Sequence, residues 1–251
     1  DRVELDNTFA ELAKSKGIQI KENTTISEHD ADKKALKLSN GEILTYEKLI
    51  FADGMSGFGS RLQPARKKNI AMQLVFPNSA AEEIQIHFGI TKRGYGWVSS
   101  YGGFTNVGLT DVFDKSVNYH EVFAGFLKQL GLQADMSELR GAFTPMKVGE
   151  GKACEDIYFV GDAVGACDPM TLSGLRYGLD SGRLCAEAIA KKDDRLYFAC
   201  IRKMKKKFAL MRTLQKIFYL KFCQVCVFDI GCRCCHRMIA YVFNHFFVNK
   251  K

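Results

Sequence analysis

The sequence predicts a mixed α/β fold, in which an antiparallel sheet lies between two strand–turn–helix segments and a helical tail follows. Two segments, 47–62 and 157–191, each combine a short apolar run, a turn containing Gly and Asp, and the start of a helical pattern. Between them, residues 71–110 hold successive β-like runs separated by turns rich in Gly, Asn and Lys. We therefore expect two parts of one domain on either side of an inserted sheet.

The first 46 residues carry a helical pattern and then strand patterns. An amphipathic helix is predicted from Arg2 through Leu12 and Ala13 to Gly17. Short strands are predicted at 18–20, 24–26 and 35–38, and the turn Ser39-Asn40-Gly41 precedes a last strand. A further strand at 49–51 ends at Ala52-Asp53-Gly54, before a turn of small residues and a helix start. These elements form the first domain part, which we place at residues 1–65.

From Ile70 onward the pattern predicts the inserted sheet, within a part that we place at residues 66–150. A basic linker at 63–68 leads into four β runs, at 71–76, 83–88, 95–99 and 105–110. Residues 119–131 predict a helix whose apolar face is formed by Phe123, Phe126, Leu127 and Leu130. Residues 141–147 are expected to return to the first domain.

The segment 153–192 predicts the final strand and a long helix, within a part that we place at residues 151–195. Gly161-Asp162 ends the apolar run 157–160, and a helical apolar face is expected from Leu175, Leu179, Leu184, Ala188 and Ile189. A carboxylate at a strand end can accept hydrogen bonds from hydroxyls, and the N–H groups of a helix start favour negative charge. This pattern predicts a site for a polar, electron-rich ligand; the alternative is an ordinary strand–turn–helix with a capping Asp.

Residues 161–182, GDAVGACDPMTLSGLRYGLDSG, resemble the flavin-contacting segment of FAD-dependent oxidoreductases with the para-hydroxybenzoate hydroxylase fold. The resemblance is to the geranylgeranyl reductase family in particular. It implies that Asp162, which follows Gly161, holds the ribityl chain of FAD. It also implies that Gly174 and Leu175 present backbone N–H groups to the flavin ring.

Two further segments match the same family in the same order. Residues 47–62 resemble its Asp-Gly motif, which implies that Asp53 and Gly54 lie near the FAD pyrophosphate. Residues 2–6 resemble its Arg-x-x-Phe-Asp element, with Leu5 in place of Phe, which implies that Arg2 reaches the cofactor. Either motif alone is more typical of a turn or a solvated helix start than of a cofactor contact.

The resemblance specifies the predicted fold class. It implies an α/β (α+β) protein with a partial FAD-binding Rossmann-like domain, an inserted antiparallel β-sheet substrate domain and a C-terminal helical tail. The Gly-x-Gly-x-x-Gly segment with which the family opens does not occur in this sequence. Since the resemblance covers only about the last two-thirds of a family member, we expect the chain to be a fragment.

The inserted sheet carries the prediction about substrate. Residues 94–103, GYGWVSSYGG, resemble the Tyr-x-Trp-x-Phe-Pro strand that lines the isoprenoid cavity of the family, so Tyr95 and Trp97 would bind substrate. Ser99-Ser100 replaces the Phe-Pro pair, which favours a shorter or more polar alkene, or a different reaction. The alternative is an aromatic pair that closes the core of this domain.

The resemblance implies an FAD-dependent oxidoreductase that reduces carbon–carbon double bonds of an isoprenoid or another lipid-like substrate, with NADPH as candidate electron donor. The alternatives are a flavin monooxygenase of the same fold and a truncated, non-catalytic remnant that binds a membrane or a partner. No Ser/His/Asp or paired-carboxylate constellation stands out, so the catalytic residues stay unassigned and Tyr95 is a candidate proton donor by position alone. Cys167 is expected to be a buried small residue.

Positive charge is concentrated near the tail, which we place at residues 196–251. Residues 191–251 hold 15 Lys/Arg against 3 Asp/Glu, in a chain whose net charge is +8. The run RKMKKK at 202–207 leads into a helical pattern with an apolar face formed by Phe208, Met211, Leu214, Phe218 and Phe222. A basic amphipathic helix over 202–222 predicts contact with an anionic membrane surface and no nucleic-acid partner. The alternative is a helix packed on the domain with a solvated Lys face.

The tail also holds most of the cysteines, which are Cys200, Cys223, Cys226, Cys232, Cys234 and Cys235. Their spacing, with His236 after the last, matches no standard ligand set, so we predict no metal site and a reducing compartment. No apolar run reaches the length of about 20 residues that a spanning helix needs, and no signal peptide is visible. These features predict a cytoplasmic protein that is peripheral at the membrane.

Overall fold

Two compact units make up the chain, one formed by residues 1–49 and the other by residues 50–251. The computed structural model describes residues 2–64, 67–77, 83–220 and 223; the side chains of Arg2 and Ala153 lie outside this description. The two units are described separately.

The first unit is a helix followed by a small antiparallel sheet. Helix α1 spans Arg2–Ser15 and precedes strands β1 (Ile26–Asp30), β2 (Ala35–Leu38) and β3 (Ile43–Thr45), in the order β1-β2-β3. The predicted helix, the strand at 35–38 and the turn before the last strand are confirmed. The strand predicted at 18–20 is wrong, and the one predicted at 24–26 begins only at Ile26, which pairs with Leu38. Ile18 and Ile20 are exposed and lie outside the ladder, so their alternation reflects no buried face.

The second unit contains a three-stranded sheet that positions the candidate site. Strand β4 (Leu49–Phe51) has the predicted bounds, and its neighbours are β11 (Ile157–Phe159) and β10 (Lys152–Cys154), in the order β10-β11-β4. All three residues of β11 are buried, as an apolar run of this length suggests. The rings of Phe51 and Phe159 stack with centroids 5.5 Å apart.

A five-stranded antiparallel sheet confirms the predicted insertion. Its strands are β5 (Lys68–Pro77), β6 (Gln85–Phe88), β7 (Tyr95–Tyr101), β8 (Phe104–Val112) and β9 (Arg140–Pro145), in the order β6-β7-β8-β5-β9. The expectation that 141–147 leaves this sheet is wrong for its first part. Residues 140–145 pair with β5, and Phe143 lies opposite Ile70, because this apolar stretch still has a neighbouring edge to bond.

One face of this sheet is covered by helix α3 (Tyr119–Gln129), which is the predicted helix. Phe123, Phe126 and Leu127 are buried against the sheet, and Leu130 packs at the margin of the same core. From β7 this core receives Val98, while Gly96 leaves room for the ring of Phe126. Side chains alternate between the two faces of a strand, so Tyr95 and Trp97 lie on the face away from α3.

Two long helices follow the strands. Helix α4 spans Leu175–Lys191 and helix α5 spans Arg195–Phe218, and no helix in the described ranges is both long and apolar enough to cross a membrane. The predicted apolar face of α4 is wrong at its start, because Leu175 and Leu179 are exposed. The buried residues of α4 are Ser181, Cys185 and Ala188, since only small side chains fit where this helix approaches the strands closely.

Helix α5 is packed along much of its length, which agrees with the packed alternative. Phe208 and Met211 are buried, and the rings of Phe208 and Tyr177 meet edge to face at 4.9 Å. The Lys205 ammonium contacts the Glu150 carboxylate at 2.7 Å. The prediction that Phe208 and Met211 face a membrane is therefore wrong. Phe222 and the residues Cys226, Cys232, Cys234, Cys235 and His236 lie outside the described residues.

Candidate functional site

Strands β4 and β11 end side by side, and each is followed directly by a turn that contains an aspartate. The N–H of Val160, just after β11, donates to the carbonyl oxygen of Phe51, the last residue of β4, at 2.9 Å. Asp53 and Asp162 each lie two residues beyond this hydrogen bond. The fold thus brings together the two predicted motifs, which are more than a hundred residues apart in sequence.

The Asp53 turn is stabilised by its own carboxylate. Asp53 Oδ2 accepts the N–H of Gly59 at 2.7 Å, in the short helix α2 (Phe58–Arg61). Gly54 has a φ of +75°, a conformation that favours glycine. A Cβ at Gly57 would lie only 2.2 Å from the Asp53 carboxyl carbon, so this glycine gives the side chain its place. The Asp53 carboxylate therefore stabilises the turn, which is the role expected of an isolated Asp-Gly motif.

The Asp162 turn lies against helix α4. Gly161 has a φ of +59°, and its N–H donates to Ser181 Oγ at 3.0 Å. Ser181 Oγ in turn donates to the carbonyl oxygen of Gly178 at 2.9 Å. A Cβ at Gly178 would lie 3.7 Å from the Cα of Gly161, so the backbones of helix and turn approach closely. Ser181 therefore positions the residue that precedes Asp162.

The start of α4 and the Asp162 carboxylate form a small cradle. Gly174 is the N-cap of α4, and no side chain caps the helix there. The first N–H groups of a helix have no acceptor within it, and they carry partial positive charge. A Cβ at Gly174 would lie 3.3 Å from Asp162 Oδ1 and would fill the space between carboxylate and helix end. The cradle, Asp162 with the N–H groups at Gly174 and Leu175, can accept hydrogen bonds from hydroxyls and donate to an electron-rich edge.

The loop that joins the turn to α4 is fixed by a buried aspartate that sequence reasoning did not single out. Asp168 Oδ1 accepts the N–H groups of Met170 at 3.0 Å and Thr171 at 3.3 Å. Leu172 adopts a positive φ of 56° within this loop. An Asp followed by Pro and then by Thr and Ser is a typical turn-forming sequence, which was the available signal.

Cys167 lies behind the cradle as a buried thiol. Burial, together with the charges of Asp162 and Asp168, raises the pKa of Cys167 to about 12. A thiol with such a pKa stays protonated at neutral pH and is a poor nucleophile. The expectation that Cys167 is a small buried residue is confirmed.

Tyr95 joins the five-stranded sheet to this loop. Its hydroxyl donates to the carbonyl oxygen of Thr171 at 2.8 Å. Burial, and then the nearby Cys167 and Asp168, raise the pKa of Tyr95 above its usual value. Because its single proton is donated to the backbone, the geometry favours a positioning role for Tyr95 over that of proton donor.

A second buried side chain, Gln215 of α5, fixes the same loop from the other side. Gln215 Nε2 donates to the carbonyl oxygens of Pro169 at 3.1 Å and Arg93 at 3.2 Å. The sequence predicted only a helical position for this residue. The residues that it contacts are 46 and 122 positions away along the chain, and a local sequence pattern cannot indicate partners at that separation.

Trp97 belongs to the sheet face away from α3. Its ring centroid lies 6.2 Å from that of Tyr95, and its Nε1 donates to Asn106 Oδ1 at 3.3 Å. The ring lies on Gly108, where a Cβ would come within 2.0 Å of it. Trp97 is only partly buried and lies outside the core beneath α3, so it does not close that core.

The same face presents further large apolar side chains. The register places Ile86 opposite Trp97, Phe88 opposite Tyr95, and Phe104 opposite Tyr101. The exposed fraction is 47% for Ile86, 39% for Phe88 and 51% for Phe104. We call the face formed by Ile86, Phe88, Trp97, Tyr101 and Phe104 the aromatic face. Contiguous apolar surface of this kind marks a binding or interaction site.

Arg2, the remaining predicted site residue, lies in α1 of the first unit, and its side chain is outside the described residues. Its role stays a prediction. The structure brings Asp162, Gly174 and Leu175 together and places the Asp53-Gly54 turn beside them. The hydrogen bond from Tyr95 to Thr171 joins the strand that carries Tyr95 and Trp97 to the loop before Gly174.

No protein-family model matches this sequence. The chain is 23% identical over 222 residues to a menaquinone reductase of Mycobacterium tuberculosis, which covers 76% of this chain and 54% of that protein. It is 23% identical over 199 residues to an uncharacterised protein of Methanosarcina barkeri, covering 76% of this chain and 51% of that one. The chain therefore spans about half the length of the curated relatives it matches.

Among solved structures, a geranylgeranyl bacteriochlorophyll reductase-like protein from Thermoplasma acidophilum superposes with a TM-score of 0.65 at 21% identity, over 86% of this chain and 63% of that chain. A flavin-dependent brominase superposes with a TM-score of 0.69 at 16% identity, over 95% of this chain and 68% of that chain. At these identities the likeness shows the fold, and it confirms the predicted mixed α/β fold class with its C-terminal helical part.

Proposed function

We propose that this chain is the flavin- and substrate-contacting part of an FAD-dependent oxidoreductase. The observation that carries the proposal is the cradle, in which the Asp162 carboxylate lies against the uncapped start of α4 at Gly174. A flavin-dependent brominase and a geranylgeranyl bacteriochlorophyll reductase-like protein share the fold of this chain, which supports the proposal. The resemblance of residues 161–182 to the flavin-contacting segment of such enzymes supports the same assignment.

The residues of the cradle fit a flavin. Asp162 would accept hydrogen bonds from the ribityl hydroxyls, which a carboxylate does with both oxygens. The N–H groups at Gly174 and Leu175 would donate to the electron-rich edge of the ring, where helix-end charge is favourable. Asp53 and Gly54 would lie toward the pyrophosphate. When bound and reduced, the flavin supplies hydride chemistry, and NADPH is the proposed electron donor.

We assign the aromatic face to the substrate. An apolar alkene of the isoprenoid or lipid-like class would pack on Trp97 and Tyr95, which offer a broad apolar wall with few groups to desolvate. Ile86 and Phe88, which lie on the neighbouring strand β6, extend this wall. The Tyr95 hydrogen bond to Thr171 joins this wall to the loop that leads into the cradle, which supports placing substrate and flavin next to each other.

The test measures anaerobic reduction of an alkene. The full chain is supplied with FAD, with NADPH or dithionite as reductant and geranylgeraniol as substrate, and the products are identified by mass spectrometry. We expect each reduced double bond to gain two hydrogens. Saturation that is absent although FAD binds would contradict the reductase assignment, and a chain that binds no FAD would contradict the flavoprotein assignment itself.

A flavin monooxygenase is the second candidate, and one observation favours it. Ser99 and Ser100 stand where the reductase pattern has Phe-Pro, and Ser99 lies with Asn106, its register partner, on the same sheet face as Trp97, which adds polar groups to that face. Product that contains oxygen from O₂, formed only aerobically, would identify this activity. The non-catalytic remnant predicts neither activity and no flavin absorbance after incubation with FAD.

We also propose that α5 contacts an anionic membrane surface, through exposed apolar side chains of which Leu214 belongs to the face that the sequence predicted. Leu210, Leu214 and Ile217 are exposed and share one side of the helix. Lys203 and Lys206 are exposed on the preceding turns. Apolar residues beside lysines are the composition of an interfacial helix.

A further inference from the structure

We infer that the second unit contains an anion-binding cleft, separate from the cradle, that takes a phosphate-bearing small molecule such as an organic diphosphate. The cleft is a cavity of about 550 Å³ where the ends of several strands of the five-stranded sheet meet α5. From the sheet side it is lined by Lys67 and Lys68 at the start of β5, Arg93 before β7, Lys115 after β8 and Lys147 after β9. We call this cavity the basic cleft.

Helix α5 supplies two more cations to the basic cleft. Arg212 and Lys216 are one helical turn apart, so both lie on the side of α5 that faces it. Seven cationic side chains therefore line one cavity, and its lining includes no carboxylate. Because like charges that line one cavity repel one another, binding of an anion would stabilise the cleft.

Two carboxylates near the basic cleft, those of Asp111 and Asp114, interact electrostatically with Arg93, and each also accepts hydrogen bonds from the chain around it. Asp111 accepts the N–H of Arg93 at 2.9 Å and of Val112 at 2.8 Å. Asp114 accepts the N–H and hydroxyl of Ser116, at 3.0 and 2.7 Å. Within the described ranges, none of the seven cations of the cleft pairs with a carboxylate.

Two of the cations are held in place before any ligand arrives. Arg212 Nη1 donates to the carbonyl oxygen of Met146 at 2.7 Å, which leaves the other guanidinium N–H groups for a ligand. Burial lowers the pKa of Arg212, although an arginine stays charged at neutral pH. The Lys68 ammonium lies 3.4 Å from the ring centroid of Phe143 and 4.9 Å from that of Phe113. Fixed donors lose little conformational entropy on binding, which favours affinity.

The shape of the basic cleft selects the class of anion. Its volume lies within the range of small-molecule sites, about 300–1,000 Å³. Val112, Phe113 and Met146 supply apolar walls between the cations, which suits a ligand with an organic part beside its phosphates. A concave site of this size excludes a nucleic-acid duplex or a bilayer surface, whose phosphates lie on a broad convex or flat surface.

The test measures binding of inorganic pyrophosphate and of an organic diphosphate, ADP, to the full chain without FAD, by isothermal titration calorimetry. We expect binding that weakens with salt, and an affinity about tenfold lower in Arg212→Gln, since a charge-assisted hydrogen bond is lost. Lys115→Gln and Lys216→Gln should each lower the affinity about threefold. The control is Lys206→Gln, which removes the same charge from an exposed position of α5 outside the cleft.

Circular dichroism and thermal melting check that each variant folds. If Arg212→Gln unfolds the chain because the hydrogen bond to Met146 is lost, the double variant Lys115→Gln/Lys216→Gln tests the proposal. The affinity of this double variant for pyrophosphate and ADP should fall about tenfold. An equal loss in Lys206→Gln would overturn the proposal, because it would show general counterion binding. The absence of any pyrophosphate or ADP binding, or binding only to anionic vesicles or RNA, would overturn it as well. Because FAD is absent, failure here is distinct from failure of the proposed oxidoreductase.

Discussion

Asp162 and Gly174 are in close contact, and the proposed flavin site depends on the positions of both. The carboxylate oxygen lies 3.3 Å from where a Gly174 side chain would begin, so glycine avoids a tight contact between a side chain and the carboxylate at the helix end. Ser181 fixes Gly161 and thereby the direction in which Asp162 leaves the strand. Gly161, Gly174 and Ser181 thus hold the Asp162 carboxylate, an acceptor, and the first N–H groups of α4, which are donors, in fixed positions.

Replacing Asp162 tests this pair directly. Asp162→Ala should weaken FAD binding by about 1–3 kcal/mol, because acceptors for ribityl hydroxyls are lost. Quenching of flavin fluorescence during titration of FAD with protein measures the change. Asp180→Ala is the matched control, since it removes one carboxylate from α4, the helix against which Asp162 lies, at a position beside Arg176. Undiminished affinity in the Asp162 variant would show that the aspartate only forms the turn.

Trp97 gives a second test at the residue scale. Because Trp97 is partly buried outside the core, Trp97→Ala should cost less than the roughly 3–5 kcal/mol of a fully buried aromatic. We expect FAD content to be retained while the relative rates of reduction of long and short alkenes change. Phe9→Ala, which removes a partly exposed aromatic ring from α1, a helix that is not part of the aromatic face, is the control. A Trp97 variant that fails to fold would instead assign the ring to stability.

The sequence predicts the role of a residue when that role depends on its neighbours in the chain. Asp162 ends an apolar run, and Gly174 precedes a helical pattern, so both could be identified from neighbours in the chain. Tyr95 could be identified only as an aromatic residue on a strand, because its partner Thr171 is 76 residues away. The same limit hid the role of Gln215, whose two acceptors come from different elements.

Among the elements, α5 shows most clearly how a sequence pattern can mislead. Its lysines and aromatic residues alternate as in a surface helix, yet Tyr197, Ile201, Met204 and Phe208 are buried. The Tyr197 hydroxyl donates to the backbone of Gly151 and Phe159, and Lys152 pairs with Asp194 at 2.7 Å. These contacts fix the first half of α5 to β10 and β11. Hydrophobic periodicity predicts which side is apolar but not whether protein or lipid covers it.

The packing of α5 can be tested with two substitutions. Phe208→Ala should lower the free energy of unfolding by about 3–5 kcal/mol, because a fully buried ring is replaced by a cavity. Leu210→Ala, two residues on and 56% exposed, should change it by roughly 0.5 kcal/mol or less. Urea unfolding followed by circular dichroism measures both. Similar values for the two variants would mean that Phe208 is not part of the packed interior.

For the molecule as a whole, the uneven charge is a feature that the sequence predicts well. The net charge of +8 arises from the region after residue 190, and α5 with its lysines carries much of it. The structure places four of these cations at two sites that composition cannot distinguish. Arg212 and Lys216 line the basic cleft, whereas Lys203 and Lys206 lie on the exposed side near Leu210 and Leu214. Side-chain direction on a packed helix, not charge count, decides which ligand each group can meet.

That division makes the membrane proposal testable without disturbing the cleft. Each lysine near an anionic surface contributes on the order of 1 kcal/mol, so Lys203→Gln/Lys206→Gln should weaken vesicle binding by roughly 2 kcal/mol. Salt screens this attraction but not the burial of Leu210 and Leu214, so binding should fall steeply yet incompletely as salt rises. Co-sedimentation with phosphatidylserine-containing and with neutral vesicles measures both effects. Lys128→Gln, an exposed change on α3, should leave binding unchanged. Equal binding of the chain to neutral and anionic vesicles, or none to either, would leave this side of α5 as ordinary solvated surface.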